Sequence, residues 1–199
     1  MATPPLTVRW SDDAGFPGPA GLAVIGVRGQ PDRETARLRI RAALLQALAA
    51  HCGIDAGRIE LHSPQGVAPW ATVALDSGAR RIPLAISHDG DISVAAYSLD
   101  GGAVGIDVTA IVPVPDWEAV ARDYLGPAVA QALALLPAGE RDAAFAHAWS
   151  EYEARLKCLG LQLDEWRRER EPALRACRCR PLVLADAYIG YLALPAAAA

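Results

Sequence analysis

Between residues 58 and 108 the chain reads as a rapid succession of short β-like runs. They fall at 58–62, 71–75, 82–87, 92–98 and 103–108, each bounded by turn-forming residues. Spacing this tight leaves no room for helical crossovers, so the runs are expected to pair as antiparallel strands. Asp89-Gly90-Asp91 and Asp100-Gly101-Gly102 carry hairpin-turn chemistry. Long helical patterns flank this block. One starts at Asp32, a good N-cap, and runs to about His51, stopping before Gly53. Leu38, Ala42, Leu45 and Ala49 form its expected apolar stripe, and Arg33, Arg37 and Arg41 recur on another face. The other starts after Pro137 and runs to about Leu159, with Gly160 as its stop. Phe145, Trp149, Tyr152, Leu156 and Leu159 form its expected buried stripe.

The remaining segments fill in around these. A strand is predicted at 22–27, inside an opening rich in Pro and Gly. Shorter helical pieces are predicted at 116–124 and 127–136, and a loop or solvated helix at 164–171. Two closing strands fall at 181–184 and 187–194, and the alanine tail is expected to fray. This defines an α+β chain in which each half offers one long helix and a few antiparallel strands. No internal sequence repeat links the halves.

Charge narrows the function classes. The net charge is −4 with no basic tract, which argues against nucleic acid as a partner. No apolar run approaches the roughly 20 residues that cross a bilayer. The opening Met1-Ala2-Thr3-Pro4-Pro5 lacks the pattern of a signal peptide, so a cytoplasmic protein away from membranes is expected. Cys52 and Cys158 sit in helical patterns, and Cys177 and Cys179 flank one arginine. Cys-x-Cys without a second ligand pair makes a poor zinc site, so reduced thiols are expected.

Lysine usage is the sharper clue. Of nineteen Lys and Arg residues, Lys157 is the one lysine, four residues after Glu153. An ammonium binds phosphate as a compact point charge, where a guanidinium would fork. Upstream, Asp107 lies in Gly105-Ile106-Asp107-Val108, a run that reads as a buried strand. A lone buried carboxylate costs several kcal/mol unless it is paired or binds a cation. Glu153 and Lys157, one turn apart, would be worth only about 0.2–0.5 kcal/mol as an exposed helix pair. Their meaning comes from the combination with Asp107, which suits Mg²⁺-assisted chemistry on a phosphate ester.

The order of the pieces is more specific than any one. Ser87-His88-Asp89, then Gly105-Ile106-Asp107-Val108, then Trp149-Ser150-x-x-Glu153-Ala154-x-x-Lys157 resembles the signature of the 4'-phosphopantetheinyl transferases, in particular their larger, pseudo-dimeric surfactin-type class. These enzymes move the phosphopantetheine arm of coenzyme A onto a serine of an acyl or peptidyl carrier protein. The resemblance implies two similar α+β lobes, 1–102 and 103–199, related by a pseudo-twofold axis with the site in the cleft between them. It implies Asp107 and Glu153 as Mg²⁺ ligands, and Asp107, Glu153 and Lys157 as the catalytic set. Glu153 would take the serine proton and Lys157 would neutralise the transferred phosphoryl group. Coenzyme A would be held by Ser87, His88 and Lys157, with His88 on its 3'-phosphate and Arg41 and Arg81 as further candidates. A monomer working with coenzyme A and a carrier protein is the expected assembly.

Two positions depart from the pattern. Thr109 stands where many members carry a glutamate, which a water could replace, and Tyr152 stands where many carry a lysine. The usual Gly-base-Pro segment appears as Gly66-Val67-Ala68-Pro69, without its base. Thr109 leaves open the alternative of a non-catalytic relative that binds coenzyme A or a carrier protein; a metal-dependent phosphohydrolase is a further alternative, against which stands the presence of only two evident acidic ligands. Glu151, on the opposite side of the helix from Glu153, cannot share one site with it.

Overall fold

Asp32 opens the first helix as predicted, its side chain accepting from the Thr35 N–H at 2.8 Å, a cap worth about 1 kcal/mol. In the computed structural model, which describes residues 5–11 and 21–196, this helix α1 covers Arg33–Cys52 and ends at Gly53 with φ 65°. The alanine tail falls largely outside the described residues.

Among the described residues, ten strands follow the predicted β runs closely and add two short ones near the start. They are β1 (Leu6–Thr7), β2 (Arg9–Trp10), β3 (Leu22–Arg28), β4 (Ile59–His62), β5 (Trp70–Leu75), β6 (Gly78–Asp89), β7 (Ile92–Ser98), β8 (Gly105–Ala110), β9 (Arg178–Val183) and β10 (Tyr188–Leu194). They build two sheets, one of six strands in the order β2-β3-β7-β6-β5-β4 and one of four in the order β1-β9-β10-β8. Most pairings are antiparallel, and β1 with β9 and β2 with β3 run parallel. Between β8 and β9 come α2 (Trp117–Val120), a wide helical turn at Ala121–Leu125, α3 (Pro127–Ala134), the long α4 (Ala138–Cys158) and α5 (Glu171–Ala176). The last of these begins at Glu171, where the segment expected as loop or solvated helix ends, and a short 3-10 turn at Arg168–Arg170 leads into it.

Period-two alternation decides how the layers stack. Ile25 and Val27 of β3, with Ile82 and Leu84 of β6, meet Ile40, Leu44 and Leu48 of α1. Val24 of β3 and Ala85 of β6 instead join Ile106 and Val108 of β8 and Leu192 of β10 in a second cluster between the two sheets. The outer side of the smaller sheet receives α4, where Ala154 and Cys158 pack with Ala193. Each fully buried Leu or Ile in these layers contributes about 1.5–3 kcal/mol.

Three expectations are corrected. Helix α1 buries Ala36, Ile40, Ala43, Leu44, Ala47 and Leu48, while Leu38 is 65% exposed and Ala42 also faces solvent. The helix carries alanine and leucine on more than one side, and the sheet selects the face carrying Ile40, Leu44 and Leu48. In α4, Leu159 is exposed and the innermost residues are the small Ser150 and Ala154, both at 0%. Asp89-Gly90-Asp91 does form the β6–β7 hairpin, with Gly90 at φ 53°. Asp100-Gly101-Gly102 does not join a pair, because β7 and β8 belong to different sheets. It carries the chain from one sheet to the other. The chain passes from the larger sheet to the smaller between β7 and β8, and β1 from the N-terminal part completes the smaller sheet.

All four cysteines are free thiols. No helix among the described residues is long and apolar enough to cross a membrane.

Candidate active site

The site is made by how closely α4 lies on β8. Gly105, Asp107 and Thr109 occupy alternate positions on one side of β8, opposite the side that enters the inter-sheet cluster. A Cβ on Gly105 would stand 1.9 Å from the Ala154 carbonyl oxygen and 2.4 Å from the Cys158 N, so this position admits only glycine. On the helix, Ser150, Ala154 and Cys158 recur every four residues as the small contact row. Glu153 and Lys157 sit one residue before Ala154 and Cys158, so the contact that buries the small row swings them over Asp107. Trp149, half-buried, stacks on Phe145 at 5.9 Å between ring centroids and also lines the site.

Asp107 is 5% exposed and fully engaged. Its Oδ1 accepts from the Ser87 hydroxyl at 2.7 Å and from Lys157 Nζ at 2.7 Å, and its Oδ2 accepts from the Thr109 hydroxyl at 3.0 Å. Lys157 also donates to Ser87 Oγ at 3.2 Å and lies 3.7 Å from Glu153 Oε2. The ammonium thus sits between two carboxylates. Burial pushes the Glu153 carboxyl above its usual range, the Asp107 charge adds to this, and Lys157 opposes it. Ser87 accepts in turn from the Val108 N–H at 3.4 Å, which ties the end of β6 to β8.

His88 follows Ser87 on β6. Burial, and then the charges of Arg37, Arg33 and Lys157, pull its imidazole below the ordinary histidine value. One cavity, of about 360 Å³, brings Arg33, His88, Thr109, Glu153 and Lys157 together with Ser87 and Asp107. A neighbouring groove joins His88 to Arg37 and Arg41 of α1. Arg41 is braced there by Ser63 Oγ at 3.0 Å and the Leu61 carbonyl at 2.9 Å. A third cavity, of about 320 Å³, runs from Glu153 and Lys157 past Ala68, Pro69 and Ile86 to Gln162 and Leu163.

Every candidate except Arg81 therefore lines the site or the adjoining groove. Arg81 is exposed and lies over the Trp70 ring at 4.1 Å from its centroid. It sits six residues before Ser87, nearly 20 Å along an extended strand, too far out to share the groove. Glu151 is turned away as expected, bound to Arg155 at 2.5 Å. Tyr152 joins the apolar cluster of α2, α3 and α4 rather than the site. The segment Gly66-Val67-Ala68-Pro69 and the residues after Gly160 line the third cavity, a part of the site for which only the first had a signal in the sequence. Gln30 and Ser93, behind His88, had none.

Residues 103–179 match the family model described as the 4'-phosphopantetheinyl transferase superfamily. That stretch, less than half of the chain, holds Asp107, Thr109, Glu153 and Lys157, and it is similar to this superfamily. No curated protein matches the chain.

Proposed function

We propose that the protein is a Mg²⁺-dependent 4'-phosphopantetheinyl transferase that moves the phosphopantetheine group of coenzyme A to a serine hydroxyl of an acyl or peptidyl carrier protein, releasing 3',5'-ADP. The observation that carries this reading is the placement of Lys157 between Asp107 and Glu153, within 2.7 and 3.7 Å, in a cavity that also holds Ser87 and His88. Three motifs distant in sequence meet there.

The donor set fits Mg²⁺. Two hard carboxylates already hold a cation, the Lys157 ammonium, between them, and Mg²⁺ is commonly bound by one or two carboxylates with waters and phosphate oxygens completing its shell. Asp107 and Glu153 would hold it, with the Thr109 position filled by its hydroxyl or a water. Bound there, the ion would neutralise charge on the pyrophosphate. Displaced from Asp107, Lys157 reaches the same phosphate oxygens as a point charge. Arg37, Arg41 and His88 hold the 3'-phosphate, and the cavity past Ala68 and Pro69 takes the pantetheine arm. Glu153, whose proton affinity is raised by burial, accepts the serine proton directly or through a water. The serine oxygen forms its bond to the β-phosphorus, the bond to the α-phosphate bridging oxygen breaks, and 3',5'-ADP leaves. Positioning and electrostatics supply most of the rate enhancement.

Mass spectrometry of candidate carrier proteins incubated with coenzyme A and Mg²⁺ tests the reading. A phosphopantetheine mass gain that is lost with Asp107→Asn supports it. A relative that only binds coenzyme A is favoured by one observation, Thr109 in place of a third carboxylate. Calorimetric titration of coenzyme A with and without Mg²⁺ separates the two, because a transferase binds more tightly with the ion.

A further inference from the structure

Behind His88 lies a short buried chain of polar groups. Ser93, opposite His88 across the β6–β7 hairpin, is 0% exposed. Its hydroxyl donates to Gln30 Oε1 at 3.3 Å, and its oxygen lies 2.8 Å from His88 Nδ1. A hydroxyl has one proton. With that proton given to Gln30, the Ser93 oxygen can only accept from His88, so Nδ1 carries the ring proton and a neutral His88 presents a bare lone pair at Nε2. Gln30 is 7% exposed and its Nε2 has no partner.

We propose that Gln30 and Ser93 are positioning residues that hold His88 as its Nδ1–H tautomer, so that its Nε2 engages the 3'-phosphate of coenzyme A only after taking up a proton. This rests on the reading of His88 as a 3'-phosphate contact. The groups that face the groove around it are Arg33, Arg37 and Arg41 of α1, Lys157 and Glu153 of α4, Asp107 of β8 and Asp89 on its own strand. Burial, and then the charges of Arg37, Arg33 and Lys157, disfavour the charged form of the free ring. A phosphate dianion reverses that balance, and binding draws a proton from solvent. Coenzyme A therefore binds with a pH dependence that dephospho-coenzyme A lacks.

Nitrogen-15 spectra of the full chain read the tautomer directly, and expectation is protonated Nδ1 and unprotonated Nε2 for His88 near pH 8. Ser93→Ala and Gln30→Met should release the ring to the Nε2–H form. Calorimetry gives the second reading, as the ratio of affinities for coenzyme A and dephospho-coenzyme A between pH 7 and 8.5. It should fall by roughly threefold or more in the wild type and stay flat in Ser93→Ala and His88→Ala. Ser93→Thr, which keeps the hydroxyl, should restore the slope. A wild-type Nε2–H tautomer, or a flat ratio while His88→Ala still loses discrimination, overturns the relay and leaves the 3'-phosphate contact standing. Full discrimination in His88→Ala removes that contact itself.

Discussion

Gly105→Ala is a one-methyl change that should disable the protein from a distance. Real Cβ atoms approach other heavy atoms to about 3.4 Å, and the added carbon would stand 1.9 Å from the Ala154 carbonyl oxygen, with the Cys158 N at 2.4 Å. Both are backbone atoms of α4, so no side-chain rotation relieves the overlap. The helix must retreat from β8 by roughly 1.5 Å, the difference between those two distances. Such a retreat carries Lys157 Nζ from 2.7 Å to about 4 Å from Asp107, beyond hydrogen-bond reach, and leaves a buried carboxylate short of a partner. Overpacking of this kind costs about 1–3 kcal/mol, and the weakened ion pair brings the total to about 3 kcal/mol. For a chain of this length that lowers the melting midpoint by roughly 6–12 °C. Differential scanning calorimetry and the carrier-protein mass assay would be run on the same samples. Gly139→Ala is the matched control, because a Cβ there meets nothing within 4 Å, so it should leave stability unchanged or raise it by up to about 1 kcal/mol. A Gly105→Ala protein with wild-type melting and transfer would refute the claim that α4 contact on β8 assembles the site.

Asp107→Asn keeps the shape but strips the charge that Ser87, Lys157 and Thr109 address. It should reduce transfer by roughly 100-fold or more and destabilise by about 1–3 kcal/mol, discounted because Lys157 is 30% exposed. Near-normal turnover at saturating Mg²⁺ would remove Asp107 from the site. Glu153 has a folded-state proton affinity raised above the unfolded value, so in chelator its contribution to stability is full below about pH 4.5 and is lost as pH rises through the raised value. Glu153→Gln should then melt above wild type at pH 7–8 and converge with it near pH 4.5, and a variant that melts lower at pH 8 would contradict this. Thr109→Glu places a carboxylate beside Asp107 Oδ2 and should tighten Mg²⁺ by roughly tenfold in calorimetry with coenzyme A present. An unchanged metal affinity would mean that residue 109 does not serve the ion.

The amino-acid sequence by itself determined most of the secondary-structure elements. Caps at Asp32 and Gly53, period-two apolar runs and a hairpin turn at Gly90 are local signals, readable because a few neighbouring residues set backbone angles. Asp107 and Lys157 stood out as a carboxylate in an apolar run and a lone ammonium, and it was the resemblance of the three motifs that grouped them with Glu153 as one site. The tertiary structure alone decided which faces were used. Helix α1 carries alanine and leucine on more than one side, and only contact with β3 and β6 chose Ile40, Leu44 and Leu48 over Leu38. Asp100-Gly101-Gly102 has hairpin chemistry, yet the strands it connects lie in different sheets, a matter of long-range pairing. Arg81 and Arg41 look alike as cations, and position along a strand or helix separated the one stacked on Trp70 from the one beside His88. Gln30 and Ser93 carry no motif. Their link to His88 exists because a hairpin and a loop 63 residues apart in the chain close on each other, and hydrogen bonds of that range leave no periodic trace in a sequence.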